Sequence, residues 1–524
     1  MSLATTLSRV TGFVRMWAMA LALGASGLTS AYNVANNIPN MIFELVAGGI
    51  LSALFIPTFM QVKAERGEEG AWKFASHVFN IFVLALGAIA LLGILFPEPF
   101  IWTQTFRKAA ENSDQVRHAA EFFFRFFAIQ VVVYGGGMVM QGVLNAERKY
   151  LWPALGPIFN NLVVTATMLI VATMPLNRTG MTVLGVGTTL GVVAMFGVMV
   201  PALIKTKLRY VPEFGWNDPA VRRMLVLALP TLVYVITNMV AVSFRNASAI
   251  AVSPSGPSVL MYAWTFYQLP YGILAVALAT AVFTEMSDAA GRDDLVAFRD
   301  TFSRGLRATA MLILPASALT VGLALPMSTL FLVGRFTASD VPLVASALRW
   351  WAAGLVFYAC MMFVLRAFYS LKDTRTPMSA NLVTTIVQVG GYLLLTTGVG
   401  AWAGMGINGV PLADGIFFTV QFVVLSLLLR RRVGGLEMGR FSSTFARMAV
   451  AALLAGGSAY GSSLLLAPLV PGVAGALLQL AVGGTLGLAV AFFAGRVMKV
   501  AELDVVVAML TRYAGRLLPG KSAS

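Results

Sequence analysis

Residues 134–153 read YGGGMVMQGVLNAERKYLWP, and residues 358–377 read YACMMFVLRAFYSLKDTRTP. Each stretch opens on a tyrosine, runs apolar, exits through a charged turn and stops at a proline; tyrosine and proline are both displaced by 224 residues. An earlier pair keeps the same order. Asn37-Ile-Pro39 leads an apolar run ending near Pro57, and Gln268-Leu-Pro270 leads another ending near Glu285, displaced by 231. Identity is low, but weak internal symmetry between apolar segments is the mark of a chain built from two structural repeats.

Composition says what solvent those runs require. Apolar residues make up 58% of the 524 residues before the 49 glycines are counted, and charged residues only 11%. A soluble domain carries about 25% charged residues, and a chain this long could not cover a water-facing surface with so few. It is an integral membrane protein. A bilayer core takes roughly 20 apolar residues per helix, and that window finds fourteen candidates, centred near residues 20, 47, 86, 132, 164, 192, 235, 275, 313, 357, 387, 423, 454 and 486. The boundary between the first two, at Gly24–Gly27, is soft, and Gly67–Gly70 is a polar break.

The net charge of +15 follows from topology rather than from nucleic acid. Of 37 Lys and Arg, 26 fall after even-numbered helices or in the C-terminal tail, and seven after odd-numbered ones. Cationic loops stay cytoplasmic, which predicts both termini inside. Residues 1–15 lack the apolar core and cleavage site of a signal peptide and read as part of a retained first helix. Equal sidedness of the halves makes the repeats parallel, which predicts a six-helix half at 1–215, a second at 216–433, and two further helices with a tail at 434–524. Transporters of that plan hold substrate between the halves.

Several chemistries are excluded. Cys360 is the single cysteine, so no intrachain disulfide or CxxC metal site forms, and His77 and His118 are too isolated for a metal cluster. No Walker loop or GxGxxG fingerprint is present. No cofactor is expected.

An ionisable group at the bilayer centre costs about 2.5–3.5 kcal/mol on insertion scales, so it needs a partner or a wet cavity. Four arginines lie in or beside apolar runs: Arg9, Arg15, Arg245 and Arg366. Arg9 and Arg15 are about 9 Å apart along a helix and roughly 120° around it; both either rim one wide cavity or snorkel to headgroups. Arg245 and Arg366 serve a cationic cavity or anchor at the interface. Glu44 either pairs with an arginine or takes up a proton, and Glu44 and Glu285 are the acids expected in the membrane. Asn36, Asn37, Asn40 and Gln268 flank the two repeated prolines, where polar side chains satisfy carbonyls released by a kink. A cavity with excess guanidinium and apolar walls suits a phosphorylated lipid, because guanidinium grips phosphate bidentately.

These segments resemble the MurJ/MviN family of lipid II flippases. Ser8-Arg-Val-Thr-Gly-Phe-Val-Arg15 is similar to the family's opening, and Ile38-Pro-Asn40 to its LPN element. Gln141-Gly-Val-Leu-Asn-Ala146 with Pro153, Pro157 and Asn160 resembles its fourth and fifth helices. Gln268-Leu-Pro-Tyr-Gly272 and the run from Arg366 to Pro377 look like its two most distinctive signatures. The resemblance runs from Ser8 to about Arg432. It implies an all-α polytopic fold of the multidrug/oligosaccharidyl-lipid/polysaccharide exporter type, with a central cationic cavity and a groove for the polyprenyl tail formed by helices 13 and 14.

By that resemblance the substrate-binding residues begin with Arg9 and Arg15, which carry over directly; Arg245, Arg366, Asn37 and Glu44 complete the candidate set. The departures are Ser30 for an acidic residue, Asn37 for a basic one, Phe43-Glu44 for an arginine pair, Ala47-Gly48-Gly49 for AEG, and Thr265 for a second-lobe arginine; Arg245 is the candidate to replace that last charge. The helix after the DTRTP turn offers Asn381, Thr384 and Thr385 and no acid, so sodium coupling is not expected.

The expected function is non-enzymatic: alternating-access movement of undecaprenyl-diphosphate-linked peptidoglycan precursor, lipid II, across a bacterial cytoplasmic membrane. Membrane lipids and cell-wall synthesis proteins are the implied partners, and nucleic acid is not. Alternatives left open are a flippase for another polyprenyl-linked glycan and a polytopic glycosyltransferase using Glu98, Glu111, Asp114 or Asp340.

Overall fold

The structure, a computed structural model, describes residues 2–44, 54–107, 113–206, 209–500 and 502. Among these residues the chain is almost entirely helical, with no strand beyond an isolated bridge between Val399 and Trp402. The first nine helices are α1 (Ser2–Leu23), α2 (Gly27–Glu44), α3 (Ile56–Leu95), α4 (Pro97–Thr105), α5 (Ser113–Ala146), α6 (Leu151–Ala172), α7 (Arg178–Gly197), α8 (Val200–Ile204) and α9 (Pro219–Val252). The rest are α10 (Gly256–Pro270), α11 (Val276–Gly291), α12 (Leu295–Gly322), α13 (Ala324–Thr329), α14 (Asp340–Ser370), α15 (Arg375–Thr397), α16 (Gly409–Arg432), α17 (Met438–Leu466) and α18 (Gly472–Val497). Twelve described helical segments are long and apolar enough to cross a membrane.

Helices α1 and α2 fall outside those twelve for a physical reason. α1 carries Arg9 and Arg15, and α2 carries Asn33, Asn36, Asn37 and Asn40, so their mean hydropathy is low although their apolar faces are buried. Counting them, the described chain makes the fourteen long helical passes expected (twelve and two). The sequence window at Ala20 caught only the apolar end of α1, which starts at Ser2. The expected centre at Ala47, with Gly48 and Gly49, lies outside the described residues, as do Lys108 and the basic residues of 503–524.

By packing, the chain divides into two compact units, Met1–Met261 with Val333–Asp340, and Tyr262–Leu332 with Val341–Ser524. In the first, α1 packs on α6, α2 and α3 on α5, and α6 on α7. Lipid is as apolar as leucine, so these contacts rest on close packing and internal hydrogen bonds rather than on escape from water. Tyr32 of α2 sits edge-on to Phe127 of α5, ring centroids 5.4 Å apart, and its hydroxyl meets Thr188 of α7 at 3.0 Å.

Two glycines make the turns of this unit possible. Gly24, at φ +64°, ends α1, and a β-carbon there would lie 2.2 Å from the Arg335 carbonyl oxygen. Gly67, at φ +74°, breaks α3 where the sequence showed a polar break. Ion pairs flank the break: Lys63 with Glu147 at 2.6 Å, Arg66 with Asp218 at 3.1 Å and Lys73 with Glu213 at 2.9 Å.

In the second unit α12, α17 and α18 form one packed group and α15 with α16 another. Pro270 ends α10 and is followed by a π-helical turn, Tyr271–Ala275, leading into α11. A proline has no N–H to give its preceding turn, and a widened turn is one way a helix absorbs the loss.

Candidate functional site

The opening motif of α1 is held from α6. Asn161 donates from Nδ2 to the Ser8 carbonyl oxygen at 3.2 Å and to the Thr11 hydroxyl at 3.1 Å. That clamp holds α1 on either side of Arg9. Arg9 is exposed and makes no ion pair or hydrogen bond among the described residues. Arg15 is partly buried, and its Nε is enclosed with no acceptor.

The surroundings of Arg15 explain that orphaned donor. Its charge reaches Tyr32 of α2 and Tyr134 of α5. Both hydroxyls are engaged elsewhere, Tyr32 with Thr188 and Tyr134 by donation to Asn40 Oδ1 at 3.0 Å. A guanidinium has five N–H donors and no acceptor, and nothing described neutralises this one. Chemically, such a group can take an anion as its acceptor, and charge-assisted bonds are strongest in a low-dielectric wall.

The other candidates are placed differently. Glu44, exposed at the end of α2, lies within electrostatic range of Arg245 on α9. Arg366 of α14 turns to α11: its Nη1 donates to the Thr280 hydroxyl at 3.1 Å and approaches the Val276 carbonyl at 3.4 Å. Asn37 is partly buried. The amide oxygen of Asn40, beside Pro39, accepts from the Tyr134 hydroxyl and ties α2 to α5. Ser30 is buried and accepts from the Ser258 N–H at 3.2 Å, a packing role for the residue that departs from the family's acid.

Sequence reasoning missed the most enclosed acid among the described residues. Asp414 of α16 is 3% exposed and accepts from Trp351 Nε1 at 2.9 Å, from Gln388 Nε2 at 2.8 Å and from the Tyr392 hydroxyl. The expectation that only Glu44 and Glu285 are membrane acids is corrected accordingly; Glu285 is exposed. Asp414 lies in PLADG, a turn-like string at the start of its helix, and its three donors come from residues 63, 26 and 22 positions away. A search for charge inside apolar runs passes over it. No group of metal-binding side chains occurs among the described residues.

Several polar residues hold the scaffold. Gln104 of α4 donates to the Ser243 hydroxyl at 2.7 Å and accepts from Asn246 at 2.8 Å, fixing α4 to α9. Asn177 caps α7 by accepting from Gly180 N at 3.1 Å. Glu98 pairs with Arg117, and Asp340 accepts from Thr337 N at 2.8 Å. Glu111 lies outside the described residues.

Comparison with known proteins bears on the fold and the family. The family described as Lipid II flippase MurJ matches residues 19–481, a span that begins just after Arg15. The Lipid II flippase MurJ of Burkholderia cenocepacia is 28% identical over 437 residues, 82% of this chain and 82% of that protein. The Probable lipid II flippase MurJ of Buchnera aphidicola is 25% identical over 443 residues, 84% of each. Among solved structures, a Lipid II flippase MurJ in an inward closed conformation superposes with TM-score 0.78 at 22% identity, covering 94% of this chain and 98% of that one. An inward-facing multidrug resistance MATE transporter of the MOP superfamily gives TM-score 0.68 at 17% identity over 81% of this chain and 94% of its own. With its fourteen helical passes and a family match that spans most of them, the chain belongs to the lipid II flippase MurJ family.

Proposed function

We propose that this chain carries lipid II, the undecaprenyl-diphosphate-linked peptidoglycan precursor, from the inner to the outer leaflet of a bacterial inner membrane by alternating access. Family membership supports the transporter class and the lipid substrate. The single observation that carries the residue-level reading is Arg15, a guanidinium on a membrane helix whose enclosed Nε meets no acceptor. A diphosphate supplies the acceptors that Tyr32 and Tyr134 do not, and Arg9 is the second contact. Arg245, Arg366, Asn37 and Glu44 stay in the candidate binding set; the nearness of Glu44 to Arg245 supports a tempered, partly neutralised charge there.

No bond of the substrate is made or broken, so the work is desolvation of a charged headgroup. Intramembrane guanidinium offsets that cost while the hydrocarbon stays in lipid. The distribution of bases supports cytoplasmic termini. The internal symmetry supports two repeated halves, 1–215 and 216–433, with 434–524 appended. Cell-wall synthesis proteins are the partners this substrate implies. Depleting the protein from cells tests the reading: lipid-linked precursor should accumulate on the cytoplasmic leaflet, and an unchanged distribution across the leaflets would overturn it.

A further inference from the structure

Beside the close crossing of α12 and α17 is a cavity of about 690 Å³, walled by α12, α14 and α17. The crossing is tight because both helices present glycine: a β-carbon on Gly322 would lie 2.6 Å from the Gly456 carbonyl oxygen, and one on Gly456 would lie 2.7 Å from that of Ala318. Helix α18 supplies none of the cavity's walls. It packs on another face of α17, with Gly483 and Gly487 against Ala455 and Ala459.

The cavity is polar at one end only. Gly322 meets the backbone at Tyr460, and Ser317 donates to the Ala352 carbonyl, so the Arg349, Val321 and Tyr460 level lies about one turn from the Ser317 level. In the opposite direction the walls are Leu314, Ala353, Ala449 and Leu453. From Ala449 to Tyr460 the α17 wall runs about 16 Å. Arg349 is partly buried at the polar end and makes no ion pair or hydrogen bond among the described residues. Its neighbour Trp350 is 38% exposed and Tyr460 is 46% exposed, a pairing of aromatic side chains with a base that belongs at headgroup depth.

We propose that this cavity binds an anionic glycerophospholipid, one acyl chain lying along α17 and the lipid phosphate on Arg349. The charge asks for an anion, the apolar throat asks for a hydrocarbon, and a membrane presents both joined in one molecule. This site lies in the second compact unit and is separate from Arg9 and Arg15, so it concerns a resident lipid and not the transported one.

The test uses the full-length protein, delipidated in detergent, with bound lipid counted by native mass spectrometry. Wild type should retain phosphatidylglycerol about tenfold better than phosphatidylcholine. Arg349→Gln should erase that preference. Gly457→Leu, whose new side chain enters open space on the cavity wall, should lower retention of both lipids. Equal phosphatidylglycerol retention by wild type and both variants would overturn the proposal. So would full competition by inorganic phosphate, which marks an anion contact without a chain, or displacement of phosphatidylglycerol by undecaprenyl phosphate, which marks a substrate-tail groove. Arg349→Gln removes no described bond, so that arm remains readable if Gly457→Leu fails to fold.

Discussion

The charge of Arg15 reaches Tyr134, yet the two share no hydrogen bond: the Tyr134 hydroxyl donates to Asn40 at 3.0 Å, and Arg15 Nε is enclosed without an acceptor. Tyr134 thus holds α2 against α5 rather than satisfying the arginine. The two residues should separate in experiment. Tyr134→Phe removes one neutral hydrogen bond, about 1 kcal/mol, and should lower the thermal midpoint while leaving transport within about threefold of wild type. A transport loss as deep as that of Arg15→Ala would show that the phenol itself handles substrate.

Asp414 should be a stability residue. Asp414→Leu leaves Trp351, Gln388 and Tyr392 with buried donors and no shared acceptor, a loss of about 3 kcal/mol. Unfolding of purified protein in detergent should start at clearly lower temperature, and Asp414→Asn should fall between because its amide keeps one acceptor oxygen. An unchanged midpoint for Asp414→Leu would contradict the hydrogen-bond assignment.

The DTRTP turn has a mechanical meaning here. Asp373 accepts from Thr376 N at 3.0 Å and from the Thr376 hydroxyl at 2.7 Å, and pairs with Arg432 at the end of α16 at 2.5 Å. Burial alone would raise this carboxyl, but the Thr376 bonds and the Arg432 charge hold it below the ordinary aspartate value. A depressed folded value means the unfolded chain takes up the proton first. The stabilisation is complete above about pH 4 and is lost as pH falls through the depressed value. Asp373→Asn should therefore destabilise at neutral pH, with the gap to wild type closing on acidification. A gap that widens toward acid would reverse the sign.

Arg335 should matter for folding rather than for topology alone. It donates to the Ala22 carbonyl at 2.5 Å and to that of Met174 at 2.9 Å, while its backbone N–H meets Leu21 O at 3.2 Å. It thus serves carbonyls that the end of α1 leaves open. Arg335→Ala should cost about 2–3 kcal/mol, read as a lower unfolding temperature. Arg335→Lys should recover part of it. Equal stability of all three proteins would contradict this role.

Much of the fold was legible because membrane helices announce themselves by length and apolarity. The Gly24 boundary, the Gly67 break and the later passes followed from that signal alone. It weakened where helices carry function: α1 and α2 hide their extent behind arginines and asparagines. Arg15 was legible as charge in the wrong place, and the structure shows its enclosed Nε without an acceptor. Partners were not, since Asp414 with Trp351 and Arg335 with Ala22 are brought together only by tertiary packing. A polar residue near a helix end, such as Asp414 or Gln104, looks like any loop residue until its donors are seen.

The most direct measurement is lipid II translocation by the purified protein in proteoliposomes, comparing wild type, Arg15→Lys and Arg15→Ala at equal incorporation. Losing a charge-assisted contact to diphosphate, about 2 kcal/mol, should slow Arg15→Ala more than tenfold, and Arg15→Lys should recover part of the rate because it keeps the charge without the fork. Translocation by Arg15→Ala at the wild-type rate would contradict the account.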